Sequence, residues 1–483
     1  MNFKPMLKKI LNEFMRIAAV PRPSHHEERI AEYLCRWAET HNLCYAVDGI
    51  GNVIIEKAAA PGYEKAPRVI LQAHMDMVCV AAEGVAFDPM KDAIKVVNDG
   101  QFISADGTSL GADDGIGIAI ALVLLADKSI VHGPMKALFT VNEEDGMSSG
   151  AIDSKYLDAE YLINLDWEWL GSLCNSSAGG DFMAFTRQYK HCAAKSEWAA
   201  LKIEITGLLG GHSGVDIHKG RANALICVSR LLQELNHARI EYQLASFCGG
   251  QARNAIPASA EAKILVCPEA LDHVYRLLES YSAELTAGFG EIEQSMVFRW
   301  APLEEKISHV VPSADANALL DLLLTLPDGI HTMSPYVKNL TESSQNLGLL
   351  TVANGEIRLA AMSRSCAAYR AKELLSIDRT IASAFGFAFE QGEHSPAWAV
   401  NPKSRLTPIT CQVYKELTGN DMVVEPVHGA LECGAFFEKN PHIDMIAIGP
   451  SLFDVHTPKE RCDLHSVQVT MELMIGVLKK ISE

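Results

Sequence analysis

The sequence lacks a Cys-x-x-Cys pair, a membrane-length apolar run, an excess of basic charge and any low-complexity stretch. Each absence excludes something. Twelve cysteines without C-x-x-C spacing argue against a structural zinc ribbon. Most sit in apolar settings, such as Cys79 in "DMVCV" and Cys267 in "KILVC", and read as reduced, buried thiols of a cytoplasmic chain. The longest apolar run, Ile116 to Ala126, is too short to span a bilayer, so no membrane partner is expected. The opening "MNFKPMLKKILNEFMRIAAV" is interrupted by Lys8, Lys9, Asn12, Glu13 and Arg16 and has no small-residue cleavage site. It reads as an amphipathic helix, not an export signal. With 42 Lys and Arg against 60 Asp and Glu, the net charge is −18. Such a chain repels phosphate backbones, which excludes nucleic acid as a partner, while clustered carboxylates attract metal ions.

What is present is a long chain, 483 residues at 48% hydrophobic, enough for more than one domain. In the first third, strand signals ("NVIIEK", "RVILQAHMDMV", "MKALFTVNEE", "AEYLINLD") alternate with helix signals ("DDGIGIAIALVLLAD" and a helix after Pro23, with Ser24 and Glu27 at capping-box spacing). That alternation predicts an α/β fold, a mostly parallel sheet with helices on both faces. After about residue 183 the pattern becomes strand, helix, strand, strand, helix, and then partly recurs. "ANAL" is found at both Ala222–Leu225 and Ala316–Leu319. This reads as an inserted α+β domain built on a duplicated β-α-β-β-α unit. The α/β character returns after "EHSPAWAVNP". The expected organisation is a first domain from residues 1–182 and 394–483, with 183–393 inserted.

Metal-capable side chains close several of the predicted strands. "VILQAHMDMV" places His74 and Asp76 two apart on one strand face. "SLGADDGIG" places Asp113 and Asp114 at a helix entrance. "TVNEEDG" places Glu143 and Glu144 just past a strand, "LINLDWE" puts Asp166 at a strand end, and "SLFDVHTP" puts His456 in a late loop. Taken singly, each has an ordinary reading: a core histidine, a helix N-cap, a solvated turn. Taken together they follow strand after strand, where a doubly wound sheet binds its ligands. Imidazoles and carboxylates without thiolate suit zinc, manganese or cobalt. Two histidines and three carboxylates can hold two such ions for hydrolysis.

"AHMDMV", "GADDGIG", "NEEDG", "NLD" and "HTP", in this order, resemble the zinc-dependent M20 peptidases. "GLLGGHSGVDIHKGRANA", "GGQARNAIPASA" and "VHGALECGAF" narrow the resemblance to their aminoacyl-histidine dipeptidase branch, over essentially the whole chain. The resemblance implies a dipeptidase that hydrolyses Xaa-His and other dipeptides with two Zn2+ per chain, with Co2+ or Mn2+ as substitutes. It implies that His74 and Asp166 hold one ion, Glu144 and His456 the other, and that Asp113 bridges them through a residue followed by a cis peptide. Asp76 would orient His74, and Glu143 would be the general base. The insert would be a lid, with His212 stabilising the oxyanion and Asn254 and Arg364 binding substrate. His428 and Glu432 fall in a motif that either holds the substrate's amino end or supports the pocket wall. The family also implies a homodimer, although a lid of this length can deliver His212 within one chain. "WEWLGS" after Asp166 departs from the acidic stretch expected there, and alters the pocket wall. His25 and His26, placed in a helix's first turn, and His218 and His465 are read as non-ligands. An N-acyl-amino-acid deacylase, a tripeptidase and a catalytically silent metal-binding protein are the competing readings.

Overall fold

The computed structural model describes residues 4–146, 148–335 and 337–483, so the first three residues of the expected N-terminal helix lie outside it. The chain forms two compact units. One takes residues up to Ser177 with Trp398–Pro426 and Leu431–Glu483, and the other takes Ala178–Ala397 with Val427–Ala430. Each has its own apolar core.

The first unit is α/β. Its central strand, Val69–His74, pairs in parallel with Met135–Thr140 on one side and Tyr161–Asn164 on the other. Asp444–Ala447 joins Tyr161–Asn164, again in parallel. Val53–Lys57 and Cys44–Val47 add an antiparallel edge. Every residue of Val69–His74 and Met135–Thr140 is buried, as interior parallel strands require. The helix Ala112–Ala126 is apolar around its circumference and buried from Ala112 to Leu125, so it lies in the core and not on its surface. The N-terminal helix Lys4–Ala18 buries Met6, Ile10, Phe14 and Ile17, one stripe at helical spacing.

The sequence misplaces one helix start. The helix after Pro23 begins at Glu28, with Glu27 as its cap residue, and Ser24 makes no cap. Ser24 Oγ instead donates to Asp76 Oδ2 at 2.8 Å. His25 and His26 therefore precede the helix and do not occupy its first turn. The cysteines are also less buried than their apolar neighbours suggest. Cys174, Cys227, Cys433 and Cys462 are buried, but Cys44, Cys192 and Cys248 are exposed, and Cys79 and Cys267 are half-buried. Among the described residues, no helix is long and apolar enough to cross a membrane.

The second unit carries the duplication. One set runs strand Ala199–Thr206, helix Ala224–His237, strands Tyr242–Gly249 and Ala260–Val266, helix Leu271–Phe289, strand Val297–Pro302. The other runs strand Gly179–Gln188, helix Ser313–Thr325, strands Thr341–Ala353 and Glu356–Ser365, helix Ala368–Ala384, strand Ala388–Ser395. Both sets have the same internal order (last, first, third, second), and their second strands pair at Cys248↔Thr351 and Gly249↔Leu350 to make one antiparallel sheet. The first set is inserted after the opening strand of the other. The two "ANAL" stretches fall on corresponding helices but out of register: Asn223 caps one helix, while Asn317 lies inside the other.

Candidate active site

His74 closes the central strand and is buried. Its Nε2 lies 2.9 Å from Asp113 Oδ1 and 3.6 Å from Asp166 Oδ1. The other oxygen of Asp113 faces a different histidine: His456 Nε2 is 3.1 Å from Asp113 Oδ2 and 2.9 Å from Glu144 Oε2. Two donor groups result, His74–Asp113–Asp166 and Asp113–Glu144–His456. Within each, the candidate donor atoms lie within 4.8 Å of one another. Asp113 is common to both and sits at the kinked start of its helix, followed by a cis peptide to Asp114.

Asp76 is past the end of the strand, so its approach to His74 is made by the loop and not by strand alternation. Its Oδ1 is 3.3 Å from His74 Nδ1. The same carboxylate accepts the backbone N–H groups of Glu143 and Glu144, each at 3.1 Å. Burial would raise its pKa, but the bonds from His74 and from the Glu143 amide bring it down to about 2. Asp76 thus orients both a histidine and the turn that carries the paired glutamates. Glu27 braces that turn from the other side, accepting from Asn142 N at 2.9 Å.

The two glutamates differ. Glu144 Oε2 faces His456, while its buried Oε1 has no hydrogen-bond partner among the described residues. Glu143 is absent from both donor groups. Burial, reinforced by the charges of Glu432, Glu144 and Asp113 and opposed by His74, pushes its carboxyl up to about 8. Burial likewise holds the Asp166 carboxyl well above its ordinary range. Hydrogen bonds to Asp113 and Glu144 raise the His456 imidazole to about 10. Asp113, Glu143, Glu144, Asp166 and His456 line one cleft of about 260 Å³, together with Trp167, Glu168, Trp169 and Leu431. Among the described residues, the only ion pairs these acids make are with histidines. The fit to a pair of divalent cations is therefore good. Nitrogen and oxygen donors converge without thiolate, one carboxylate faces both groups, and a buried carboxylate oxygen is left without a partner.

Sequence reasoning missed several supports. Arg22 and Glu460 bind the loop that bears Asp113, and Glu168, raised to about 7 chiefly by burial, shares the cleft. Glu460 stands four residues after His456 in "HTPKE", and that proximity was the available signal. Glu432 is buried beneath the strand ends, where its Oε2 accepts from Gln72 Nε2 at 2.6 Å and Thr140 Oγ1 at 2.8 Å. Gln72 Oε1 in turn accepts from Asn164 Nδ2, and Asn164 Oδ1 from Asp166 N. This network ties the strands that present His74, the glutamate turn and Asp166.

The remaining candidates gather in the second unit. Arg364, on the strand Glu356–Ser365, is 4% exposed. Its Nη2 is 3.1 Å from His212 Nε2, and its Nε donates to Ser213 Oγ at 3.3 Å. Among the described residues no carboxylate pairs with it, and burial lowers the guanidinium pKa to about 10. His428 is buried nearby, 2.7 Å from Ser344 Oγ. Burial and the Arg364 charge lower its pKa to about 3, so it is neutral. Asn254 joins this group through its backbone, its carbonyl accepting from Ser213 N at 2.9 Å.

Comparison with known proteins gives concordant results. The model of the peptidase family M20/M25/M40 matches residues 70–480. The chain is 33% identical over 471 residues to the cytosol non-specific dipeptidase of Escherichia coli (strain K12), covering 97% of this chain and 96% of that protein. The crystal structure of aminoacylhistidine dipeptidase from Vibrio alginolyticus superposes with a TM-score of 0.91 at 32% identity, covering 98% of this chain and 96% of that one. Aminopeptidase PepT from Bacillus cereus ATCC 10987, at 16% identity and a TM-score of 0.56 over 99% of each chain, shares the fold. The chain belongs to the peptidase family M20/M25/M40.

Proposed function

We propose that the protein is a two-zinc dipeptidase of the cytoplasm that hydrolyses dipeptides, Xaa-His dipeptides among them. The observation that carries this reading is the Asp113 carboxylate, which turns one oxygen to each of two donor groups, with the half-buried Glu143 lining the same cleft. In this reading His74, Asp113 and Asp166 hold one ion, and Asp113, Glu144 and His456 the other. Ions bound there supply Lewis-acid polarisation of the scissile carbonyl and lower the pKa of the attacking water. Glu143 takes the proton from that water and returns it to the leaving amine. Asp76 keeps the His74 ring and the glutamate turn in place. Arg364 receives the substrate's terminal carboxylate, for which a planar fork with no carboxylate partner among the described residues is suited. His212 steadies the carbonyl oxygen as charge develops on it, and Asn254 binds substrate. His428 and Glu432 act from behind, His428 as a neutral partner of Ser344 near Arg364, and Glu432 under the strand ends. The inserted domain serves as the lid, and the working assembly is a homodimer.

The test is a substrate panel of β-Ala-His, Gly-His, other dipeptides, tripeptides and N-acetyl amino acids, run on zinc-, manganese- and cobalt-loaded protein. Dipeptides should dominate. Preferential cleavage of tripeptides or N-acetyl amino acids would remove the dipeptidase reading, and no turnover with any metal would favour a silent binding protein.

A further inference from the structure

Two buried side chains that belong to neither donor group fasten the loop carrying Asp113, each to a different side of the site. Arg22, 1% exposed, donates Nη1 to the carbonyls of Met75 and Asp76, at 2.9 and 2.6 Å, just beyond His74. Its Nη2 donates to the carbonyl of Gly111. Glu460, 2% exposed, follows His456 by four residues. Its Oε2 accepts from the N–H groups of Leu110 and Gly111 at 2.7 and 3.0 Å, and its Oε1 from Ala112 at 2.8 Å, with Asp113 N at 3.4 Å. One clamp therefore joins the Asp113 loop to the His74 strand end. The other joins it to the His456 loop.

The packing leaves little slack. A Cβ on Gly111, whose φ is +67°, would come within 2.7 Å of Arg22 Nη2, and one on Gly115 would meet the same nitrogen at 2.7 Å. The glycines of "GADDG" make room for the guanidinium. Two buried charges are a costly way to hold a loop when apolar contacts would serve a fold as well. What charged hydrogen bonds add is fixed direction and distance.

We propose that Arg22 and Glu460 are positioning residues that each set one metal subsite. Arg22 fixes the span from His74 to Asp113, and so the subsite completed by Asp166. Glu460 fixes the span from His456 to Asp113, and so the subsite completed by Glu144. This rests on the two-cation reading above. Donor placement matters on the scale of tenths of an ångström, and losing an outer partner typically weakens metal binding roughly 10–100-fold.

The test is zinc titration of the apo protein by calorimetry with a competing chelator. Glu460→Gln and Arg22→Lys are each measured in two backgrounds. His456→Ala leaves the His74 subsite, and Asp166→Ala leaves the His456 subsite. Glu460→Gln should weaken zinc about 10–100-fold in the Asp166→Ala background and less than about threefold in the His456→Ala background. Arg22→Lys, which keeps the charge but loses the fork, should do the reverse. Weakening that is equal in both backgrounds, or absent from both, overturns the clamps. Wild-type protein that binds fewer than two zinc ions overturns the clamps and the two-cation reading together, and is read first. Circular-dichroism melting of each apo variant accompanies the titration. Should Glu460→Gln fail to fold, Glu460→Asp, which keeps the charge on a shorter reach, is read by the same comparison.

Discussion

The two units hold their unusual charges in opposite senses. In the first, Asp113, Asp166, Glu143 and Glu144 crowd into a cleft where histidines are the only basic ion-pair partners among the described residues. In the second, Arg364 is buried with no carboxylate paired to it among the described residues, beside His428, whose pKa burial lowers. A buried charge without its partner costs several kcal/mol, so neither arrangement serves stability. Each suits a different ligand: cations for the acids, a substrate carboxylate for the guanidinium. The difference teaches that each compact unit, with its own apolar core, carries its own uncompensated charge, so the proposed roles can be tested one unit at a time.

The largest expected effect divides the adjacent glutamates. Glu143→Gln should lower kcat about 10³-fold while zinc content, measured by atomic absorption, stays at the wild-type level. Glu144→Ala should instead lower the zinc content. If Glu143→Gln lost zinc as well, the division between base and ligand would be gone. Next, Arg364→Ala should reduce kcat/KM about 100-fold for dipeptides with a free terminal carboxylate, and much less for the same dipeptide amides. Its zinc content should not change, and equal losses on acids and amides would break the assignment.

A third prediction supplies a control from the second unit. Asp378 is a buried acid whose one bond comes from Gln345 Nε2 at 2.9 Å, and burial raises it to about 7 from an ordinary 3.8. Between those values the folded protein keeps a proton that the unfolded chain has lost. Stability should therefore be greatest near the lower value and fall as pH rises through about 7. Urea unfolding at pH 5 and pH 8 should show that fall in the wild type and a smaller one in Asp378→Asn, with zinc content unaffected in both. The smallest effect belongs to Trp169, 53% exposed and edge-on to Phe453 at 5.9 Å on the cleft wall. Trp169→Ala should shift KM among dipeptides by only about 2–5-fold, since it removes apolar contact from a wet rim.

Much of this was legible in the sequence because the signals are local. The parallel strands read as short apolar runs, and Val69–His74, Met135–Thr140 and Tyr161–Asn164 each end on, or within three residues of, an acid or histidine of the candidate site. His74, Glu144 and Asp166 were read as candidates that way, Asp113 from a helix entrance and His456 from a late loop, and the fold brings the five into two donor groups. What was not legible depends on contacts far apart in the chain. Gly179–Gln188 opens the second set of strands but pairs with Glu356–Ser365, so the nesting of one set inside the other leaves no local trace. The Glu460 carboxylate reaches back some 350 residues to the Leu110 amide. Ser24 looked like a cap because its spacing to Glu27 fits one, yet its hydroxyl is taken by Asp76. Propensity proposes a partner, and the tertiary fold assigns the real one.

The central claim is that Asp113 bridges two ions. Anomalous diffraction at the zinc edge, from crystals of the zinc-loaded protein, tests it directly. The account predicts two peaks roughly 3.5–4 Å apart with Asp113 between them, one beside His74 and Asp166 and the other beside Glu144 and His456. A single peak, or two peaks of which either lies out of reach of Asp113, would contradict it.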